Sequence, residues 1–351
     1  MSLRHEGRWW TGRDDEEVAS LAEVLACCVE PLVAAGVPRA KARFAAIACI
    51  EKDMAGDHLR GVETLLGPLA ELRAGRLAPD PAVEVVFDRG VSALLRAEPG
   101  FDYGPGFDAM SLCVGKACSH GVGVVGLQAP VRRLTPYLKL ALDAGLVAFA
   151  TTHSPPMLAP RPGLAPRVGN HPIGLAVAAG GRPPIVFDGA LSQSAATPLI
   201  AAGRQARPVP EGVLLGPDGA ATTDARAIAD ADATGEGWGS LVPIGGYKGY
   251  GLAVAIGVLT SVLLGDGCAA GTFFLCLAPA AFGDASTLTE RVGEYLAALA
   301  PRPGEPRFWA YPGEASGEAL CAHYAAGTVP LTRGTLERLR AAGRRSAEED
   351  H

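Results

Sequence analysis

Residues 243–252 read Pro-Ile-Gly-Gly-Tyr-Lys-Gly-Tyr-Gly-Leu, and four glycines stand within seven residues around one lysine, Lys248. An apolar stretch follows and predicts a buried helix. Glycines just ahead of a helix leave backbone N–H groups open at its start, where an anion can bind. The spacing matches neither the Walker A loop nor the GxGxxG dinucleotide motif. The segment alone therefore indicates either an anion cradle or a purely structural glycine turn.

Upstream of this segment, strand-like and helix-like patterns follow one another. Residues 83–87, 122–127 and 146–150 have the apolar pattern of strands, whereas residues 110–120 and 134–143 have helical spacing. This alternation predicts an α/β layer. Glycine- or proline-rich stretches predict loops at residues 98–108 and 154–168. Further helices are predicted within residues 15–75 and at residues 224–232, 288–299 and 331–342.

Composition excludes several classes of protein. The 351 residues are 48% hydrophobic, enough for a sizeable core, and the formal net charge of −6 argues against binding nucleic acid. The first residues contain no apolar run typical of a secretion signal, and no apolar stretch is long enough for a membrane helix. None of the eight cysteines has zinc-ligand spacing, so we expect reduced thiols, no metal and a cytoplasmic protein.

Other motifs appear along the chain in a fixed order. They are LRG at residues 59–61, LRAG at 72–75, THSPPMLAP at 152–160, GNHPI at 169–173, VFDGALS at 186–192, PEG at 210–212, DGAATTD at 218–224 and PGE at 312–314. Together with the glycine-rich segment, they resemble the type 2 (non-Rossmann) malate/L-lactate dehydrogenase family, whose matching signature is PxGGxKGYGLA. The resemblance covers most of the chain, roughly residues 30–340.

The resemblance implies a non-Rossmann α/β fold in three parts. Residues 1–80 would form a helical bundle, residues 81–300 the α/β cofactor-binding domain, and residues 301–351 a segment and helix that return to the bundle. It also implies a homodimer that binds NAD or NADP near the subunit interface, without indicating which. The positions that match cofactor contacts of the family are Ser154, Asn170, Asp188, Gly189, Ala190, Tyr247, Lys248 and Gly249.

Two catalytic histidines of the family have no counterpart in the matching motifs of this sequence. Residues 62–66 replace the family's HESHG run and put Leu65 at its second histidine, and residues 126–131 replace SNHFG without a titratable group. The arginine of a family RLP motif, which would bind a substrate carboxylate, is also lost. The chain therefore resembles a divergent member whose site for proton transfer has been rebuilt.

Four basic residues are candidates for the rebuilt site. His153 and His171 replace asparagines of the family motifs, and we predict that they are catalytic together with Asp188, which matches an acid that orients the histidine in some members. Arg132 and Arg133 are predicted to bind substrate, because paired guanidinium groups suit carboxylates. Each histidine could equally be a hydrogen-bonding scaffold residue, and the arginines could simply be solvated.

Three functions fit these observations. The first is an NAD(P)-dependent oxidoreductase that acts on a small 2-oxo acid or cyclic imino acid with a rebuilt proton-transfer site. An iminium carbon accepts hydride without the strong proton donor that a ketone needs, so a site without its usual acids favours an imine. The second is non-redox biosynthetic chemistry on the same scaffold, and the third is a catalytically inactive homologue that binds a small molecule.

Overall fold

The computed structural model describes residues 15–226, 228, 239–265, 270–306 and 308–348. Their helices are α1 (Leu21–Ala34), α2 (Arg39–Met54), α3 (Leu66–Arg73), α4 (Tyr103–His120), α5 (Thr135–Asp143), α6 (Ala196–Arg204), α7 (Tyr247–Gly257), α8 (Ala285–Leu299), α9 (Glu314–Ala326) and α10 (Thr335–Glu348). Their strands are β1 (Glu16–Ser20), β2 (Val83–Arg89), β3 (Ser92–Ala97), β4 (Val122–Gln128), β5 (Val147–Thr152), β6 (Pro156–Leu158), β7 (Val168–Gly169), β8 (Ile173–Val177), β9 (Ile185–Gly189), β10 (Leu214–Leu215), β11 (Ser240–Leu241), β12 (Thr272–Leu277) and β13 (Thr328–Thr332).

A seven-stranded mixed sheet forms the centre of the fold, in the order β2-β3-β4-β12-β5-β8-β9. Strand β12 is antiparallel to both of its neighbours, β4 and β5, although it follows them by more than a hundred residues. Helices α4 and α5 pack against this sheet, and Tyr137 and Phe274 are fully buried between the layers. The predicted α/β fold is confirmed.

The amino-terminal helices form a second core with the end of the chain. Strand β1 pairs antiparallel with β13, α10 packs against α1, and α9 packs against α2. Val24 and Ile50 share this core with Val329 and Leu331. Such packing follows the arrangement that the family resemblance implies, and the division of the chain at residues 80 and 300 stays a prediction.

A third core lies beneath α7. The four-stranded sheet β10-β11-β6-β7 and helix α6 contribute Leu158, Leu199 and Leu241, and α7 contributes Ile256. A π-helical turn, Val258–Val262, extends α7 towards the start of β12. The glycine-rich segment thus begins a helix, as predicted.

Two predicted loops contain regular structure. Helix α4 begins at Tyr103 inside the supposed loop, because Pro105 falls in its first turn, where the missing N–H has no helical partner. Strand β6 begins at Pro156, and a proline is tolerated at the first position of a strand. Residues 331–332 belong to β13 and not to the predicted last helix. Most of the helix predicted at residues 224–232 lies outside the described residues.

Within the described residues, no helix has both the length and the apolar character needed to cross a membrane. The same part of the chain contains no cluster of three His, Cys, Asp or Glu side chains able to hold a metal ion.

His58 joins the amino-terminal strand to the end of α2. Its Nδ1 lies 2.7 Å from Asp53 Oδ1, and its Nε2 lies 3.0 Å from Glu16 Oε1. The hydrogen bond with Asp53 is the largest cause that raises the pKa of His58 to about 9, and it outweighs partial burial. Burial raises the pKa of the Asp53 carboxyl as well, because hydrogen bonds from His58 and the Val62 N–H offset only part of the desolvation.

We predict that this histidine makes stability depend on pH. A group whose pKa is higher in the folded than in the unfolded chain contributes fully below its unfolded pKa, 6.5 for histidine, and that contribution is lost as the pH rises through about 9. Replacing His58 with Gln should remove about 2 kcal/mol at pH 6 and much less at pH 9.5. Urea unfolding at both pH values measures the difference, and parallel pH profiles for parent and variant would contradict the prediction.

Candidate functional site

A cleft of about 650 Å³ lies between helix α2, the start of α5, the β8–β9 hairpin and helix α9. Asp188 on β9 is part of its wall. The Oδ2 atom of Asp188 accepts hydrogen bonds from the Thr135 N–H at 2.9 Å, the Thr135 hydroxyl at 2.7 Å and the Leu134 N–H at 3.2 Å. These donors belong to the start of α5, where a carboxylate is favourable because backbone N–H groups are left open. Asp188 therefore fixes α5 against the sheet at the edge of the cleft.

Two charged residues that the sequence analysis did not single out share this wall. Lys52 on α2 and Asp57 just beyond α2 line the cleft with Asp188. Asp57 is 7% exposed; its Oδ2 accepts a hydrogen bond from Arg60 at 2.9 Å, but its buried Oδ1 has no donor within the described residues. Burial lowers the pKa of Lys52, and the carboxylates of Asp188 and Asp57 offset this effect only in part.

The other ionisable groups in the cleft are already engaged or open to solvent. Lys139 donates to Glu51, and the Tyr324 hydroxyl donates to the same carboxylate at 2.9 Å. Asp143 and Arg182 are exposed. The cleft therefore combines both signs of charge, which suits a small ligand that is itself charged.

His153 and His171 lie together, outside the set of residues that line this cleft. Their ring centroids are 4.8 Å apart. The backbone N–H of Ser154 donates to His171 Nδ1 at 3.0 Å, so a neutral ring carries its proton on Nε2. His153 Nδ1 is buried and has no hydrogen-bond partner among the described residues. The structure thus brings the two predicted histidines together but gives them no contact with Asp188.

Burial keeps both imidazoles neutral at physiological pH. His171 is 1% exposed, and desolvation, followed by the neighbouring His153, lowers its pKa to about 4. Desolvation also lowers the pKa of His153. A neutral imidazole can donate a hydrogen bond or accept a proton, but it is a weak acid. The acid–base role of these histidines stays a prediction.

A hydrogen-bonded network links three motifs next to the histidines. The Ser154 hydroxyl lies 2.9 Å from Asn170 Oδ1, and Asn170 Nδ2 donates to the Ser192 hydroxyl at 3.2 Å. The Leu191 N–H donates to the Asn170 carbonyl at 2.7 Å. Gly189 and Ala190 connect this network along the chain to Asp188. Two of the predicted cofactor residues, Ser154 and Asn170, are therefore in direct contact.

The glycine-rich turn at the start of α7 is held against the same network. The Ile244 N–H donates to the Leu191 carbonyl at 3.1 Å. Gly246 has φ 64°, a conformation that favours glycine, and a Cβ on Gly249 would lie 2.0 Å from the Ile244 carbonyl oxygen. Tyr247 is 82% exposed, and Lys248 is also exposed. These features leave an open helix start beside the exposed Lys248, an arrangement that suits an anion.

The two predicted substrate arginines are engaged elsewhere. Arg132 is exposed and forms an ion pair with Asp102 at 2.5 Å. Arg133 donates to the Arg60 carbonyl at 2.5 Å and to the Thr64 hydroxyl at 3.1 Å. Neither lines the cleft. Arg133 therefore holds the turns that follow Asp57, and substrate binding by either arginine stays a prediction.

The stretches expected to replace the family histidines carry no titratable side chain at the matching positions. Leu65 is 3% exposed within the core of the amino-terminal helices. In the second stretch, Leu127 is fully buried and Gln128 donates to the Leu264 carbonyl at 2.6 Å. The Asp188 cleft instead contains Lys52 and Asp57 as ionisable groups next to the α2 end.

Comparison with known proteins identifies the family. The family model of malate/L-lactate dehydrogenase matches residues 19–340. The (2R)-3-sulfolactate dehydrogenase (NADP(+)) of Chromohalobacter salexigens is 32% identical over 73% of this chain and 75% of its own length. The Delta(1)-pyrroline-2-carboxylate reductase of Pseudomonas fluorescens is 31% identical over 70% of this chain and 72% of its own.

A solved structure gives the same answer for the fold. The delta1-piperideine-2-carboxylate reductase of Pseudomonas syringae superimposes with a TM-score of 0.78 and 25% identity, over 93% of this chain and 99% of the other. The fold described above therefore also occurs in a known reductase. This chain belongs to the malate/L-lactate dehydrogenase family of oxidoreductases.

Proposed function

We propose that this chain is a nicotinamide-dependent reductase that acts at the Asp188 cleft on a small cyclic imino acid or 2-oxo acid. The observation that carries the proposal is the charged cleft of about 650 Å³, a volume typical of small-molecule sites, in a chain of this oxidoreductase family. Two relatives support the substrate classes by name, since one is a sulfolactate dehydrogenase and the other a pyrroline-2-carboxylate reductase.

The start of α7 fits the phosphate groups of a dinucleotide. Gly245 and Gly246 both have positive φ, and the exposed Lys248 follows them at a helix start. Backbone N–H groups and an ammonium together bind phosphate. Ser154 and Asn170 would hold the neighbouring part of the cofactor through their shared network. The bound cofactor would supply a hydride, and these residues favour neither NAD nor NADP.

The ionisation of the site favours an imino acid over a 2-oxo acid. Burial lowers the pKa of both His153 and His171, so neither is a strong proton donor. Reduction of a ketone needs a proton on oxygen during hydride transfer, whereas a protonated imine already carries its proton. We therefore expect imino acids to be the better substrates.

Replacing Lys248 with Ala should weaken binding of NADH or NADPH by about tenfold, the equivalent of one charge-assisted hydrogen bond. Because Lys248 is exposed, the melting temperature of the unliganded protein should hardly change. Fluorescence titration with both dinucleotides measures the effect, and Arg302→Ala, which removes another exposed cation, is the control. Equal affinities for parent and Lys248→Ala would remove the phosphate assignment.

The proposed acid–base role of the histidines has its own test. If His153 and His171 transfer the proton, the double His→Asn variant should lose about a hundred- to ten-thousandfold in turnover of 2-oxo acids. Cyclic imino acids, which arrive protonated, should lose far less. Initial rates from cofactor absorbance give both values. Full 2-oxo acid turnover in the double variant would show that the two imidazoles are scaffold residues.

We also propose a homodimer, with a second copy covering the outer face of α7. Val254, Val258 and Val262 form an exposed apolar stripe at intervals of four residues, and Tyr247 begins the same helix. A closed two-fold contact would cover the stripe in both copies. The stripe adjoins the proposed cofactor segment, as the family resemblance implies for the subunit interface.

Light scattering should therefore give about twice the chain mass of 36.0 kDa. Val258→Glu should shift the protein to monomers at micromolar concentration, because it places a charge within the apolar contact. Phe282→Glu, which changes an exposed aromatic residue away from this helix, should remain dimeric. A monomeric parent, or an unaltered mass for Val258→Glu, would contradict this interface.

A further inference from the structure

We infer that Lys52 and Asp57 together recognise an amphoteric acid as substrate. The Lys52 ammonium binds the carboxylate of this acid, and the Asp57 carboxylate accepts a hydrogen bond from its positively charged N–H group. The reduction that follows binding is the reaction of the proposed function, and the inference rests on that proposal to this extent. It assigns to the Asp188 cleft two residues of this chain that none of the family motifs quoted above contains.

Lys52 offers a cation without a protein partner. Its side chain lines the cleft, and the described residues give its ammonium no hydrogen bond or ion pair. The carboxylates of Asp188 and Asp57 attract its ammonium, and the guanidinium groups of Arg60 and Arg133 repel it. Since burial lowers its pKa, the charged form gains from any anion brought into the cleft.

Asp57 offers an acceptor without a donor. Its Oδ2 is bound by Arg60, while its Oδ1 is buried and unpartnered within the described residues. Buried carboxylate oxygens are almost always hydrogen-bonded, so such an atom in the wall of a cleft indicates a missing donor. A ligand with a positively charged N–H group would supply it.

Most other ionisable groups of the cleft are already hydrogen-bonded or exposed to solvent. Lys139 and Tyr324 both bind Glu51, and Asp188 Oδ2 is used by three donors at the start of α5. Asp143 and Arg182 are exposed and would meet solvent before substrate. Lys52 and Asp57, at the end of α2, are thus charged residues of the cleft wall whose hydrogen-bonding groups are not all used by the described residues.

A cyclic imino acid carries the complementary charges side by side. Its carboxylate is attached to the carbon of the C=N bond, so the anion and the iminium N–H are neighbours. Lys52 and Asp57 are neighbours too, since the Asp57 N–H donates to the Lys52 carbonyl at 2.8 Å. A 2-oxo acid has the same carboxylate but no N–H, and it would leave Asp57 Oδ1 without a donor beside the lone pairs of a ketone. The pair therefore favours a cyclic imino acid over a 2-oxo acid, because the 2-oxo acid leaves Asp57 Oδ1 without a hydrogen-bond donor.

Neither Lys52 nor Asp57 needs to supply a proton for the reduction. The imine carbon accepts a hydride, with the reduced nicotinamide as the two-electron reductant. The π pair of the C=N bond becomes the nitrogen lone pair, and the resulting amine takes a proton from water. Asp57 remains hydrogen-bonded to the substrate N–H throughout, and the Lys52 ammonium remains paired with the substrate carboxylate.

Steady-state kinetics on five-carbon probes tests the pair. We expect Asp57→Asn to lower kcat/KM for Δ1-pyrroline-2-carboxylate by about tenfold while leaving 2-oxovalerate unaffected, and Lys52→Gln to raise KM for both acids by about tenfold. Asp143→Asn and Arg182→Gln remove the same charges from exposed positions of the cleft and should leave the ratio of the two substrates within about twofold. Melting temperatures confirm that each variant is folded.

A calorimetric measurement of the binding of racemic proline distinguishes failure of this inference from failure of the proposed function. Proline is an amphoteric acid that needs no turnover, and its affinity should fall in both Asp57→Asn and Lys52→Gln. Proline binding that depends on both residues, in a parent that reduces neither probe, would support the pair and refute the reductase. Reduction by the parent with an unchanged substrate ratio in Asp57→Asn would refute the pair and leave the reductase. Neither turnover nor proline binding would refute both.

Discussion

A buried pair of threonine hydroxyls ties the loops of the site to the centre of the sheet. Thr152 ends β5, Thr272 begins β12, and their hydroxyl oxygens lie 2.9 Å apart. The Val131 N–H donates to Thr152 Oγ1 at 3.0 Å, and Thr272 Oγ1 donates to the Ala129 carbonyl at 2.9 Å. The segment that leads to α5 and the loop that carries the histidines therefore both depend on β12 occupying its place between β4 and β5.

The sequence predicts those parts of the fold that local periodicity determines. After Thr272, residues 273–277 form a short continuous apolar run, which is typical of a buried strand, and the structure has a strand at Thr272–Leu277. Periodicity cannot reveal that this strand separates β4 from β5, because that pairing is decided by contacts between distant residues. Pro105 and Pro156 misled the prediction for a related reason, since a proline's effect depends on its position within an element and not on its presence.

The candidate site was predictable where motifs determine backbone geometry and less so where packing decides. Of the residues that the motifs indicated, Asp188 lies on the cleft wall and Ser154 contacts Asn170, while their roles stay predictions. They could not show that Arg133 would be used by the turns after Asp57, since that depends on how α5 meets α2. No clear signal in the sequence indicates Lys52, because α2 contains several other charged residues and Lys52 lies between Glu51 and Asp53.

The pairing of β1 with β13 affects the order in which the protein can fold during its synthesis. All seven strands of the central sheet are complete once residue 277 has emerged, so its hydrophobic core can close while the rest is still being made. The amino-terminal helices must wait, because their core includes Val329 and Leu331. Helices α1 and α2 precede the sheet in the chain but are thus buried after it, and α1 would expose its apolar side while the sheet is made, when a chaperone could bind it.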